Sequence, residues 1–207
     1  MTRRVGIIWD TPVMFTRLVE DCGFIPELVT PHLLAAPFFR RSYSAIIIPG
    51  GFAHPSYSLV LPALRACEDR IWRFILAGGM VLVFGAGFDK PDAYDWLPVM
   101  VRYRFGFSEG MVEGGTDNPF SCIIEDCPDL VSIDGFFDIP GNGLPSIQGA
   151  SDLEEDGRVV VCLQMRGYPV MIEYRSGAGR IILASLHEYP SRRFLSGFCM
   201  RGSETLL

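Results

Sequence analysis

Apolar positions in the first ninety residues follow two alternating rhythms. Arg4 to Asp10, Tyr43 to Ile48 and Met80 to Phe84 are short, continuous apolar or β-branched runs. Runs of this length read as strands covered on both faces. Phe24 to Val29 reads as a further strand. Between the strands the spacing turns helical. Thr11 to Cys22 places Met14, Leu18, Val19 and Cys22 on one side and stops at Gly23. Thr30-Pro31-His32 opens a short helix over Leu33 to Phe39. Pro62 to Ala77 gathers Leu64, Cys67, Ile71, Phe74 and Ile75 on one face, keeps Arg65, Glu68, Asp69 and Arg73 elsewhere, and ends at Gly78-Gly79. The order β-α-β-α-β-α-β implies parallel strands, right-handed crossovers and helices on both faces of a sheet.

The rhythm changes after Lys90. Residues 90–150 are rich in Gly, Pro, Asp and aromatics, and Arg102 to Phe107 alternates as a half-exposed strand does. Val159 to Gln164, Val170 to Tyr174 and Arg180 to Ser185 read as three late strands. The turn Arg175-Ser176-Gly177-Ala178-Gly179 joins the last two as an antiparallel hairpin. The expected fold is therefore a three-layer α/β domain with a mostly parallel, flavodoxin-like sheet and a C-terminal antiparallel hairpin at or near an edge. Residues 1–207 read as one domain with an elaboration at about 90–157 beside the pocket, without linker or repeat.

Composition narrows the class. The 207 residues are 49% hydrophobic and 20% charged, which excludes a disordered or fibrous chain. Lys and Arg number 18 against 24 Asp and Glu, a net charge of −6 with no basic cluster, so nucleic acid is not an expected partner. No apolar run is long enough to span a membrane. Arg3-Arg4 precede an apolar stretch too short for a signal peptide, and no small-residue cleavage site follows, so a cytoplasmic location is expected. The six cysteines are scattered without a CxxC pair and read as free buried thiols; neither a metal nor a cofactor is expected.

Ligands of open parallel sheets bind beyond the carboxyl ends of the strands. Four such ends are legible: Asp10, Pro49-Gly50-Gly51, Gly85-Ala86-Gly87 and His187. Three segments in order, Ala45-Ile46-Ile47-Ile48-Pro49-Gly50-Gly51-Phe52, Ala77-Gly78-Gly79-Met80-Val81-Leu82-Val83-Phe84-Gly85-Ala86-Gly87 and Gly177-Ala178-Gly179-Arg180-Ile181-Ile182-Leu183-Ala184-Ser185-Leu186-His187, resemble the class I glutamine amidotransferase-like superfamily. The closing turn, strand and His look most like the branch related to the N-terminal domain of biotin–protein ligases. The resemblance covers residues 1–90 and about 158–190 and leaves the middle unmatched.

In that family a cysteine sits on a sharp strand-to-helix elbow, Gly-x-Cys-x-Gly, whose glycines permit the strained turn. A histidine after the last strand deprotonates the thiol, a glutamate two residues on orients the imidazole, and backbone amides of the Gly-Gly segment form an oxyanion hole. Carried onto this chain, the closing glycine is Gly87, the nucleophile slot is Gly85 and the opening slot is Val83; a one-residue slide puts Ala86 in the slot. Neither residue has a nucleophile. His187 fits the base, but Tyr189 stands where the glutamate belongs, and the adjacent Glu188 is expected to point elsewhere.

The expected function is a non-catalytic amidotransferase-like module, not a glutaminase, binding a small molecule or a protein partner at the carboxyl edge of the sheet. Two alternatives stay open: an enzyme using His187 as general acid or base without a covalent thiol, and a structural subunit or homo-oligomer, with which the positive mean hydropathy and aromatic-rich middle are compatible. The candidate ligand-binding residues are Asp10, Gly50, Gly51, His54, Gly85, Ala86 and Asp89, with His187 the catalytic candidate. Each has a plainer role available. Asp10 can cap the helix after it, Asp89 can stabilise a first helical turn, His54 can decorate a loop, and the glycines can simply turn. If a helix follows Gly87, its first amides favour an anion. Asp10, His54, Asp89 and His187 lack a metal-specific spacing. His32 reads as a helix-start residue. Arg102 and Arg104 share one face, exposed or set against an acidic partner. Cys67 reads as core, and no histidine lies near Cys122 or Cys127 in sequence.

Overall fold

The computed structural model describes residues 3–56, 58–114, 121–124, 130–140 and 157–207. In chain order the elements are β1 (Arg4–Ile8), α1 (Met14–Asp21), β2 (Ile25–Val29), α2 (Pro31–Ala35), β3 (Ser42–Tyr43), β4 (Ala45–Ile48), α3 (Val60–Ala66), α4 (Glu68–Leu76), β5 (Met80–Phe84), β6 (Arg102–Gly110), β7 (Glu113–Gly114), β8 (Val131–Asp138), β9 (Val159–Met165), β10 (Tyr168–Ser176), β11 (Gly179–Ala184), α5 (Arg192–Arg201) and β12 (Thr205–Leu206). A 3-10 turn spans Ser121–Ile123.

Eight strands form the main sheet in the order β2-β1-β4-β5-β11-β10-β9-β7. From β2 to β11 all pairings are parallel, and with the two-residue β3 set aside the order is flavodoxin-like. Alternation along the strands sorts the core into two layers, because successive side chains leave a strand on opposite faces. Ile46, Ile48, Val81 and Val83 pack with Leu34, Leu64, Ile71 and Phe74 from α2, α3 and α4. Val5, Ile7, Ala45, Ile47 and Leu82 pack with Phe15, Val19, Phe194 and Phe198 from α1 and α5.

Three differences from the sequence reading have local causes. The stretch Pro62 to Ala77 is two helices, because Cys67 leaves helical geometry (φ −127°, ψ 25°) and serves as the cap between them. The helix before Phe39 ends at Ala35, since Ala36 precedes Pro37 and takes an extended backbone. The late hairpin does not lie wholly at the edge. Its second strand, β11, is the fifth parallel strand, in register with β5 from Arg180 opposite Met80 to Ala184 opposite Phe84. Among the described residues, β10, β9 and β7 extend the sheet antiparallel.

Candidate functional site

The region after Lys90 supplies what the parallel strands lack, a floor at their carboxyl ends. β6 and β8 pair antiparallel as a separate two-stranded sheet. β8 is sewn to the segment following β11: the Asp134 amide donates to the Ser185 carbonyl at 3.0 Å and the His187 amide to the Ser132 carbonyl at 2.9 Å. Ile133 bridges Leu186 between them. The Ser132 amide also donates to Glu188 Oε1 at 2.7 Å. This stitching brings Asp134, His187 and Glu188 to one cavity of about 460 Å³. Gly50, Gly51, Gly85 and Gly87 line it from the strand ends, and Trp9, Phe15, Phe84, Phe105, Phe107 and Tyr189 supply aromatic wall.

The floor explains Gly85. A Cβ at this position would fall 1.9 Å from Asp134 Oδ1 and 2.2 Å from Oδ2, well inside any van der Waals contact. The carboxyl of Asp134 therefore occupies the space into which a nucleophilic side chain at residue 85 would project. Asp134 is only 7% exposed. Its Oδ2 accepts from the Gly87 amide at 2.9 Å. Its Oδ1 is buried without a hydrogen-bond partner, as is the Tyr103 hydroxyl. The Tyr103 hydroxyl lies beside the Asp134 carboxyl and favours its charged form. Burial pushes the Asp134 carboxyl above the usual range, and Tyr103, the Gly87 amide and His187 oppose that shift. Gly135 is what lets the tyrosine approach, since a Cβ there would sit 2.5 Å from the ring. A bulge in β6 falls at the same point: pairing jumps from Phe105–Gly135 to Ser108–Ile133, leaving Gly106 and Phe107 opposite Asp134 alone.

The expected anion hole is short of one glycine amide. The Gly51 amide donates to the Gly85 carbonyl at 2.7 Å, and the Gly87 amide is committed to Asp134. Gly51 and Gly87 both have positive φ, 87° and 66°. They approach so closely that a Cβ on Gly87 would lie 2.6 Å from Gly51 Cα. Here the turn and the packing require glycine. No helix follows Gly87; residues 91–96 form turns. The elbow therefore has no helix N-terminus to offer an anion.

Of the sequence candidates, Gly50, Gly51, Gly85 and His187 line the cavity, and Asp10, His54, Ala86 and Asp89 do not. Asp10 clamps the loop before α3, accepting from the Ser58 hydroxyl at 3.0 Å and the Leu59 amide at 3.2 Å. It caps a distant loop rather than the helix after it. His54 stacks edge-on with Phe88, and its Nδ1 accepts from the Ser56 amide at 3.3 Å. Ala86 is buried, and its carbonyl accepts from the Ala53 amide. Asp89 and His32 are exposed. Among the described residues, no three His, Cys, Asp or Glu side chains group as a metal site. The Arg104 guanidinium lies over the rings of Phe136 and Tyr168.

His187 is exposed and meets the Phe107 ring edge-on at 5.8 Å. Tyr189 packs on Phe15 at 5.3 Å. Glu188, which sequence reasoning turned away from the site, lines the cavity. Cys67 is buried, and burial raises its thiol. Among the described residues no cysteine lines the cavity; Cys127 lies outside them. Sequence reasoning missed Asp134 altogether, although an aspartate beside glycine within Val131-Ser132-Ile133-Asp134-Gly135-Phe136-Phe137 is unusual for a strand and marks the position.

By sequence, no protein-family model and no curated protein matches the chain. Solved structures do. The fold is similar to a ThuA-like protein from Bacteroides uniformis, with a TM-score of 0.52, 11% identity, and 97% of this chain and 90% of that one covered. It is also similar to the glutaminase domain of CTPS from Trypanosoma brucei, solved with bound acivicin, with a TM-score of 0.51, 11% identity, and 99% and 96% covered. A beta-galactosidase from Rahnella sp. R3 matches at a TM-score of 0.51 and 12% identity, over 97% of this chain but 30% of its own. At these identities the likeness is one of fold. Among the described residues, no helix is long and apolar enough to cross a membrane.

Proposed function

We propose that the protein is an amidotransferase-like module that binds a small molecule in the cavity at the carboxyl edge of its sheet, without thiol-based amide hydrolysis. One observation carries this reading: the Asp134 carboxyl stands where a side chain at residue 85 would have to stand. Covalent acyl transfer needs a nucleophile there and amides free to hold the oxyanion. The neighbouring Gly51 and Gly87 amides are already engaged. What remains is a largely apolar cavity with a few convergent polar groups, the usual make-up of a ligand site. The test is a thermal-shift screen of small molecules on the intact chain, run beside an ammonia-release assay with glutamine. The reading expects no ammonia and a hit whose stabilisation is lost in His187→Ala. Glutaminase activity that disappears on substituting a cysteine would overturn it.

A second reading, an enzyme with His187 as general acid or base, is favoured by the shared cavity of His187 and Asp134. Two titratable groups in unlike environments, one buried and one exposed, are a frequent acid–base arrangement. It expects turnover that survives removal of every cysteine and falls in His187→Ala.

A further inference from the structure

Resting on the reading of the cavity as a binding site, we propose that its ligand is an organic cation: a protonated amine, amidine or guanidine on a flat or apolar body. Two acids, Asp134 and Glu188, stand in its wall. Asp134 Oδ2 is held by the Gly87 amide and Glu188 Oε1 by the Ser132 amide. Asp134 Oδ1 and Glu188 Oε2 are buried and have no hydrogen-bond partner. Each acid is thus fixed by one oxygen; the second oxygen of Glu188 has no partner, and the carboxyl of Asp134 has the Tyr103 hydroxyl beside it. Asp134 is nearly fully buried, and its carboxyl lies against Gly85, itself part of the cavity lining. Buried acceptors left in this state are costly, and N–H donors relieve the cost.

The rest of the wall points to the same chemistry. No lysine or arginine lines the cavity among the described residues, and His187 is the one basic side chain. Two of the amides that would welcome an anion, those of Gly51 and Gly87, are bonded, and no helix begins after Gly87. Trp9, Phe107 and Tyr189 add ring faces and edges. Aromatic walls with carboxylates suit a cation, whose charge is attracted by the ring quadrupole as well as by the acids. A volume near 460 Å³ fits a compact ligand.

Three matched probes separate charge from shape: benzamidine, benzyl alcohol and benzoate. They are titrated into the intact, isotope-labelled protein and followed through the amides of Gly85, Gly87 and His187. Benzamidine is expected to shift these amides and to bind about tenfold or more tightly than either analogue. Asp134→Asn and Glu188→Gln are each expected to cut that preference by about tenfold, with an unchanged far-UV spectrum confirming the fold. Phe107→Ala, at an exposed rim position, is expected to weaken benzamidine a few-fold through lost cation–π contact. Benzyl alcohol or benzoate binding at these amides as tightly as benzamidine would overturn the inference while leaving the binding-site reading intact. Silence from all three probes would also overturn it, and the binding-site reading would then stand or fall on its own thermal-shift screen.

Discussion

Two buried acids in this molecule have different company. Glu173, on β10, is 2% exposed and forms an ion pair with Arg180 on β11. Arg201 and Arg175 add favourable charge around it. Asp134, on β8, is 7% exposed and has a backbone amide, Tyr103 and the exposed His187. Burial raises both carboxyls, and both leave one oxygen without a hydrogen bond. The difference lies in where positive charge comes from. For Glu173 the chain supplies it. Asp134 instead borders a cavity walled by aromatic rings. A buried charge whose counter-charge is built in is a structural feature, whereas one that borders a cavity is a candidate for the proposed ligand site.

That contrast can be broken at either end. The largest effect is expected at the structural pair. Arg180→Leu strands Glu173 in the core and should cost about 3 kcal/mol in urea unfolding. The second is steric. Gly85→Ala drives a methyl into the Asp134 carboxyl and should cost about 2 kcal/mol by the same assay.

The smallest is the sharpest contrast with Glu173. Asp134→Asn keeps an acceptor for the Gly87 amide and removes the charge, so stability should be unchanged or higher by up to about 1 kcal/mol, while the proposed preference for a cation falls. Its pH dependence has a defined sign. Burial raises the folded pKa of Asp134 above its unfolded value, so the folded state holds the extra proton. The stability of the parent chain therefore falls as pH climbs from the ordinary carboxylate range through the raised one. The groups facing this carboxyl are His187, Tyr103, Tyr94 and the Gly87 amide. Asp134→Asn should flatten the slope in part, because Glu173, shifted the same way, still contributes. Urea midpoints at a series of pH values measure it.

The sequence made the frame legible because parallel strands announce themselves locally: Ile46 to Ile48 and Met80 to Phe84 are buried on both faces and end in glycine turns. The same logic located Gly50, Gly51, Gly85 and His187 at the cavity. It misplaced Asp10, whose position after β1 is right but whose oxygens are taken by Ser58 and Leu59 from a loop far along the chain. It missed Asp134 for a stronger reason. That carboxyl is buried by the absent side chain at Gly85, by Tyr103 admitted over Gly135 and by a bulge in β6. Three separate segments meet there, and no window of sequence holds them together. The glycine at residue 85 was readable from the sequence, while the carboxyl that takes up its side-chain space was not.

A side chain at residue 85 and the carboxyl at residue 134 exclude one another. A double-mutant cycle measures it directly, with Gly85→Ala, Asp134→Gly and the pair compared by urea denaturation. The alanine is expected to be costly alone and far less so once the carboxyl is gone, a coupling of about 1 kcal/mol or more. Additive effects, with the alanine costing the same in both backgrounds, would contradict it.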